Sequence, residues 1–225
     1  MKLEHSIGPI RAAGICAALA FILLFFSPAA KGAQDSRDRL HQPDRVMDLV
    51  GVKAGMVIGE VGAGSGYFTF HLARRVGESG KIFANDISRR ALNSLERRKE
   101  RDGISTIETI VGEVDDPLLP EGLDMVFIVN AFHDIAHQVA LLNSLAHSLK
   151  PGAAVVIIDR DPDKIRNSSG HVLTREEVLE RIEQSVFRLD RVETFLPQHN
   201  IYIIRVPIER SAAGEPGTEK EKEVL

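Results

Sequence analysis

Cysteine is almost missing from this chain. One thiol, Cys16, stands among 225 residues, so neither a disulfide framework nor a set of thiolate metal ligands organises the fold. A surplus of positive charge is missing too: 28 Lys and Arg against 32 Asp and Glu give a formal charge of −4, which leaves no general attraction for nucleic acid. The densest basic run, Arg97, Arg98, Lys99 and Arg101, alternates with Glu96 and Glu100 and reads as the solvated face of a helix. Long apolar runs are scarce. The run from Ala12 to Phe26 falls short of the about 20 residues that a spanning helix needs.

Lys2 and Arg11 precede that run, and Ser27, Pro28 and small residues up to Ala33 follow it, which is the layout of a secretory signal peptide with cleavage near Gly32 or Ala33. The expected division is a signal segment over 1–33, a folded domain over 34–210, and a disordered tail over 211–225 rich in Glu, Lys and Gly. Export to the periplasm is expected, with a retained membrane anchor through residues 12–30 as the alternative. The content of 44% hydrophobic and 27% charged residues suits one globular domain between these ends.

What is present is concentrated in Met56 to Phe70, MVIGEVGAGSGYFTF. Met56 to Val61 is a short apolar run bounded by glycines, the pattern of a buried strand that ends in a turn. From Tyr67 the apolar spacing becomes helical, with Phe68, Leu72 and Val76 on one face. Glycines at a strand-to-helix junction let the backbone approach a bound molecule, and the first helical turn offers it unpaired N–H groups. The spacing Gly62-x-Gly64-x-Gly66, with Glu60 two residues ahead, differs from the G-x-G-x-x-G that receives a pyrophosphate. An acidic residue before the turn repels a diphosphate and suits a ligand that carries an ammonium and a sulfonium.

The period-two pattern returns at Lys81 to Ile87, a second strand that ends at Asp86. This carboxylate lies about 20 residues beyond the glycines, where it can accept both hydroxyls of a ribose. Ser88 can cap a helix from Arg89 to Arg101, and Ile107 to Val111 and Leu123 to Val129 read as the third and fourth strands. His137 to Leu149 reads as a helix, Lys150-Pro151-Gly152 as a turn, and Ala153 to Asp159 as the fifth strand. A capping box, Thr174-x-x-Glu177, opens a helix to Gln184. Strands near Phe187 to Thr194 and Tyr202 to Val206 close the domain. Strands that alternate with helices imply an α/β fold with a doubly wound, mostly parallel sheet.

The glycine run and Asp86 together resemble the first two motifs of the class I S-adenosylmethionine-dependent methyltransferases, and the likeness extends from Gln42 to Val206. It implies a seven-stranded Rossmann-like sheet with an antiparallel last strand, and S-adenosylmethionine as cofactor. Cofactor contacts are implied at Glu60, Gly62, Ala63, Gly64, Gly66 and Tyr67 around the turn, at Asp86 and Ile87 for the ribose, at Glu113 and Val114 for the adenine, and at Asn130. The segments GAGSGYFT, EVDDPLLP, FHDI, TREEV and FLP are similar to a group of exported bacterial methyltransferase-domain proteins.

Residues just after the fourth and fifth strands face the transferable group in such a sheet. His133 is the candidate general base on a hydroxyl acceptor, with Asp134 to orient it. Asp159, Asp161 and Asp134 are a second possibility, as oxygen ligands of a hard cation, but Asn130 and Asp159-Arg160 depart from the Asp and Asp-Asn pattern of the divalent-ion sites in catechol-type O-methyltransferases, so no metal is expected. Asn130 is followed by Ala131-Phe132 rather than the Pro-Pro-aromatic turn of enzymes that methylate bases, so nucleic acid is not expected as acceptor. The reading is methyl transfer to a small-molecule or polypeptide acceptor. A domain that binds the cofactor without transferring methyl is the alternative, since the cofactor is made in the cytoplasm and the apolar N-terminus points to export.

Overall fold

A computed structural model describes residues 28–165 and 171–207, with the side chains of 28–34 left aside. The expected signal run from Ala12 to Phe26 and all of the expected tail lie outside the described residues. Helix α1, Pro28–His41, is a separate unit of the chain. The helix runs across the predicted boundary at residue 33. Gln42 ends it at a φ of 43°, consistent with a residue before proline being pushed out of the helical region.

Pro43 opens α2, Pro43–Val50, as a proline can at a first helical position. The chain then alternates: β1 Val57–Val61, α3 Tyr67–Val76, β2 Lys81–Asp86, α4 Arg89–Arg101, β3 Ile107–Val111, β4 Leu123–Val129, α5 Gln138–Ser148 and β5 Leu149–Arg160. It closes with α6 Arg175–Glu183, β6 Arg188–Glu193 and β7 His199–Arg205. The seven strands form one sheet in the order β3-β2-β1-β4-β5-β7-β6. β1 to β5 pair parallel, and β7 runs antiparallel to both β5 and β6.

The sheet is an α/β core covered on both faces, which is why the central strands read as unbroken apolar runs. Val126, Phe127 and Ile128 in β4 and Val155 to Ile158 in β5 are fully buried. One face carries Phe68, Phe70, Leu72 and Val76 of α3 with Val46 and Met47 of α2. The other carries Leu141, Leu142 and Leu145 of α5 with Val178 and Ile182 of α6. Each such side chain contributes about 1.5–3 kcal/mol by leaving water.

Three local features set the site. The chain leaves β1 towards β2 on one side and returns from β3 to β4 on the other, so the crevice at the carboxyl ends of β1 and β4 is the topological switch point. β5 begins at Leu149 rather than Ala153, because Lys150-Pro151-Gly152 forms an irregularity within the strand, between the pairings Leu123↔Leu149 and Met125↔Ala154. The capping box of α6 is present: Glu177 N–H donates to Thr174 Oγ1 at 3.2 Å, and Thr174 N–H donates to Glu177 Oε2 at 2.7 Å.

Candidate active site

The glycine turn meets the crevice with three residues in the left-handed region, Gly62 at φ 72°, Gly64 at 58° and Gly66 at 89°. They serve different ends. A Cβ on Gly62 would stand 2.4 Å from the Cβ of Ala131, and one on Gly66 would stand 2.8 Å from the ring of Phe70, so both positions are closed by packing. A Cβ on Gly64 would meet nothing within 4 Å; here the backbone is open to an approaching molecule. Gly66 caps α3 without a side-chain hydrogen bond, so the first-turn N–H groups have no capping oxygen.

Asp86, at the end of β2, is fixed at both oxygens. Gly64 N–H donates to Oδ2 at 2.8 Å and Ser88 N–H to Oδ1 at 2.7 Å, which leaves a lone pair on each oxygen. Its neighbour Asn85 is buried and donates to Pro117 O at 2.7 Å. That bond pins the β3–β4 loop, and Gly112 is required there because a Cβ would lie 2.3 Å from Asn85 Nδ2. The loop thereby holds Glu113 and Val114 beside Asp86, at a cavity of about 460 Å³.

Of the residues expected at the cofactor, Gly62, Asp86, Ile87, Glu113, Val114 and Asn130 line this cavity. Ile87 and Val114 are apolar yet 64% and 50% exposed, so each offers a flat ring a face to lie on. Glu60, Ala63, Gly64, Gly66 and Tyr67 are not among the lining residues. Glu60 is only 2% exposed, and it accepts a hydrogen bond from Thr69 Oγ1 at 2.5 Å. Burial pushes its carboxyl up to about 8, against the opposing pull of Thr69. Ala131, which follows the fourth strand, lines the cavity too, and so do Asn85, Ile135, Ala136 and Leu141, which sequence reasoning does not place at the cofactor. The apolar spacing of α5 was the one signal, and it marks Leu141 as core only.

Asn130 follows the last residue of β4, and its φ of 51° turns the chain into a single 3-10 turn, Phe132–Asp134. Asn130 N–H donates to Ile158 O at 2.7 Å, and Phe132 is fully buried, so the chain is anchored just ahead of His133. The imidazole is 4% exposed. Asp159, at the end of β5, accepts from His133 N–H at 2.8 Å and lies 2.7 Å from Nδ1. Sequence reasoning gives the orienting role to Asp134; the Nδ1 hydrogen bond goes instead to Asp159, which β5 carries to the same end of the sheet. Asp134 is 3.4 Å from Nε2, and Arg160 Nη2 is 3.0 Å from the same nitrogen.

The hydrogen bond to Asp159 holds the His133 pKa above the usual imidazole value and outweighs the opposing effect of burial. Nδ1–H therefore donates to Asp159, while Nε2 in its neutral form accepts from Arg160. Asp161 is committed elsewhere, accepting from Asp163 N–H at 3.0 Å and Asn200 Nδ2 at 2.7 Å. Among the described residues no group of three or more His, Cys, Asp or Glu side chains is placed to hold a metal ion. His133 faces a second cleft of about 370 Å³, whose far wall carries His171, Glu177 and Arg181, and which shares Asp134, Ile135 and Ala136 with the first cavity.

A family model described as a methyltransferase domain matches residues 52–204, from before β1 to the end of β7. The chain belongs to the methyltransferase-domain family. The demethylmenaquinone methyltransferase of Bacillus velezensis is 28% identical over 117 residues, 52% of this chain and 50% of its own length. Its counterpart from Bacillus licheniformis is 31% identical over 117 residues, with the same shares. The chain thus spans about half the length of the curated relatives it matches. A solved structure of a SAM dependent methyltransferase from Aquifex aeolicus superposes with a TM-score of 0.71 at 28% identity, over 81% of this chain and all of that one. The [4+2]-cyclase SpnF shares the fold alone, with a TM-score of 0.61 at 14% identity over 73% of this chain and 82% of that one.

The cofactor of the family is S-adenosylmethionine, and the residues present in this methyltransferase domain fit it. The Asp86 carboxylate is held with acceptor capacity to spare at a strand end, the chain beside it is open at Gly64, and Ile87 and Val114 present apolar surface across the same cavity. A pyrophosphate-bearing nucleotide suits this donor set less well, because the carboxylate of Asp86 bonds directly to the amide of the turn.

Proposed function

We propose that this protein transfers a methyl group from S-adenosylmethionine to a small-molecule or polypeptide acceptor. Bound S-adenosylmethionine supplies a methyl carbon already activated on a sulfonium. The chain's own work is to hold, orient and deprotonate. Asp86 would hold the ribose, Ile87 and Val114 would face the adenine beside Glu113, and the open turn around Gly64 would receive the methionine part. His133, held by Asp159, would take the proton from an acceptor hydroxyl, and Asp134 would stabilise the imidazolium from the Nε2 side. One observation carries the reading: a buried His–Asp pair at the ends of β4 and β5, in a cleft that shares a wall with the cofactor cavity. Positioning supplies much of the rate in such a transfer, and the base adds to it.

Calorimetric titration with S-adenosylmethionine and its demethylated product, followed by a methyl-transfer assay on hydroxyl acceptors, tests this. Binding with turnover is expected. Binding without turnover on any acceptor class favours a cofactor-binding domain that has lost the transfer step. The formal charge of −4 supports an acceptor other than nucleic acid.

We also infer that the protein is exported to the periplasm after cleavage near Gly32 or Ala33. The short apolar run from Ala12 to Phe26 and the small residues after it support this. Residues 12–30 retained as an anchor would be its sole membrane contact. N-terminal sequencing of the protein from fractionated cells decides, since a start near Ala33 or Gln34 in the soluble exported fraction is expected and an intact Met1 in the membrane fraction overturns it.

A further inference from the structure

We propose that the cleft beside the cofactor cavity is the methyl-acceptor site, and that it takes a small hydroxy acid or phenolic acid, with its hydroxyl at His133 and its anionic group toward Arg181 and His171. This deepens the methyltransferase reading and rests on it. The cleft, at about 370 Å³, is of a size that holds a small molecule. It meets the first cavity along Asp134, Ile135 and Ala136, so a molecule seated there adjoins the bound cofactor.

The chemistry of the cleft follows from which of its charges are already answered. Glu177 is bound in the capping box, and its carboxyl lies below the usual range because Thr174 hydrogen-bonds to it. Asp134 lies beside Nε2 of His133. Glu177 therefore has a donor of its own, while Asp134 faces the imidazole and favours its protonation. Arg181 pairs with its neighbour Glu180 at 3.2 Å, with Glu180 largely exposed, and acts through space on Glu177; surface pairs of this kind contribute little, and the guanidinium keeps further N–H donors to offer. The wall formed by Arg181 and His171 is thus the cationic end of the cleft, and His133 with Asp159 is its basic end. An apolar acceptor filling the same space would displace water from Arg181 and His171 without replacing its hydrogen bonds, at a cost in binding.

The transfer balances within this arrangement. The acceptor oxygen forms a bond to the methyl carbon as the sulfur–carbon bond breaks, and that bond's electron pair stays on sulfur. The acceptor's hydroxyl takes the place of Arg160 at the one lone pair of His133 Nε2, and its proton passes there. Protonation turns the contact with Arg160 repulsive and the contact with Asp134 attractive, while Asp159 holds Nδ1 throughout. His133 is the catalytic residue of this site and Asp159 its positioning residue.

The test uses the full chain saturated with S-adenosylhomocysteine and titrated with 4-hydroxybenzoate, observed through the imidazole resonances of His133 by NMR. Saturable shifts at His133 are expected, weakened about fivefold in Arg181→Ala, a loss of roughly 1 kcal/mol, and largely restored in Arg181→Lys. S-adenosylhomocysteine affinity should stay unchanged in both variants. With S-adenosylmethionine in its place, 4-methoxybenzoate should form. A second probe, 2-naphthol, offers a hydroxyl without an anionic group, and it should bind more weakly and ignore the Arg181 substitution. No response at His133 while S-adenosylhomocysteine binds normally overturns the acceptor assignment and leaves the methyltransferase reading standing. Equal binding of both probes overturns the anionic class. Failure to bind S-adenosylhomocysteine removes the underlying reading and this proposal with it.

Discussion

The cofactor cavity and the acceptor cleft share a wall, yet they are made of different material. The first is built from backbone: three glycines in the left-handed region, a carboxylate at a strand end bonded to two amides, and a loop pinned by Asn85. The second is built from side chains brought in by four separate segments, His133 after β4, Asp159 at the end of β5, His171 ahead of α6, and Glu177 with Arg181 on α6. Backbone sites have steric rules with fixed spacing, so a change there acts through strain. Side-chain sites have electrostatic rules without fixed spacing, so a change there acts through protons and charge.

The sharpest way to break this contrast is at two neighbouring glycines. In Gly62→Val the new Cβ would lie within 2.4 Å of Ala131 Cβ at a φ of 72°. Overpacking and backbone strain each cost about 1–3 kcal/mol, a large part of the about 5–15 kcal/mol that holds a domain. Loss of the folded crevice is expected, read as a steep fall in thermal midpoint. Gly64→Val has a similar φ of 58° but open space around it, so it should keep the fold and lose S-adenosylmethionine binding. Equal stability losses at the two positions would show that packing does not separate them.

Asp159→Asn probes the other side. The amide keeps the shape of the side chain but loses the charge that holds the His133 proton on Nδ1. Methyl transfer should fall about a hundredfold, the lower end of what a positioned base supplies, while cofactor affinity stays within the error of calorimetry. A loss of cofactor binding in this variant would mean that the two sites are not independent. Asp86→Ala is the converse. It should weaken S-adenosylmethionine and its demethylated product by about 1.5–3 kcal/mol, the cost of hydrogen bonds to a charged partner, and leave the His133 pKa where it is.

The same contrast explains what the sequence made legible. The glycine turn, Asp86, Ser88 as a cap and the Thr174-x-x-Glu177 box are rules about neighbours in the chain, and the structure has each where the spacing implies. The alternation of strands and helices carried the sheet for the same reason. The partner of His133 was not legible, since Asp159 lies 26 residues away and reaches Nδ1 only because β4 and β5 pair in a register that ends both strands together. Adjacency favoured Asp134, and pairing across the sheet overrode it. Asn85 was hidden in the same way: inside an apolar strand it reads as an exception, and its role depends on a carbonyl 32 residues on. The start of β5 was misplaced because Pro151 and Gly152 signal a turn, whereas the β4–β5 pairing accommodates them as an irregularity near the start of the strand.

The smallest effect expected sharpens the comparison at Glu60, a buried ionisable group at the start of the backbone-built site. Burial raises its carboxyl to about 8 from the unfolded value of 4.5, so the folded state keeps a proton that the unfolded state releases. The stabilising contribution is fully present below 4.5 and is lost as pH rises through 8. Between those limits the slope is at most about 1.4 kcal/mol per pH unit. His133, with its pKa also raised, contributes in the same direction above its unfolded value, whereas Glu96, Asp124 and Glu177, with lowered pKa values, titrate in acid below this window. The difference between the wild type and Glu60→Gln from pH 6 to 7.5 therefore isolates Glu60, because the amide still accepts the Thr69 hydrogen bond and does not titrate. Denaturant midpoints of the wild type should fall with pH relative to those of the variant. Parallel curves would mean that Glu60 is ionised in the folded protein and faces a cation after all, which would return it to the ligand side of the turn.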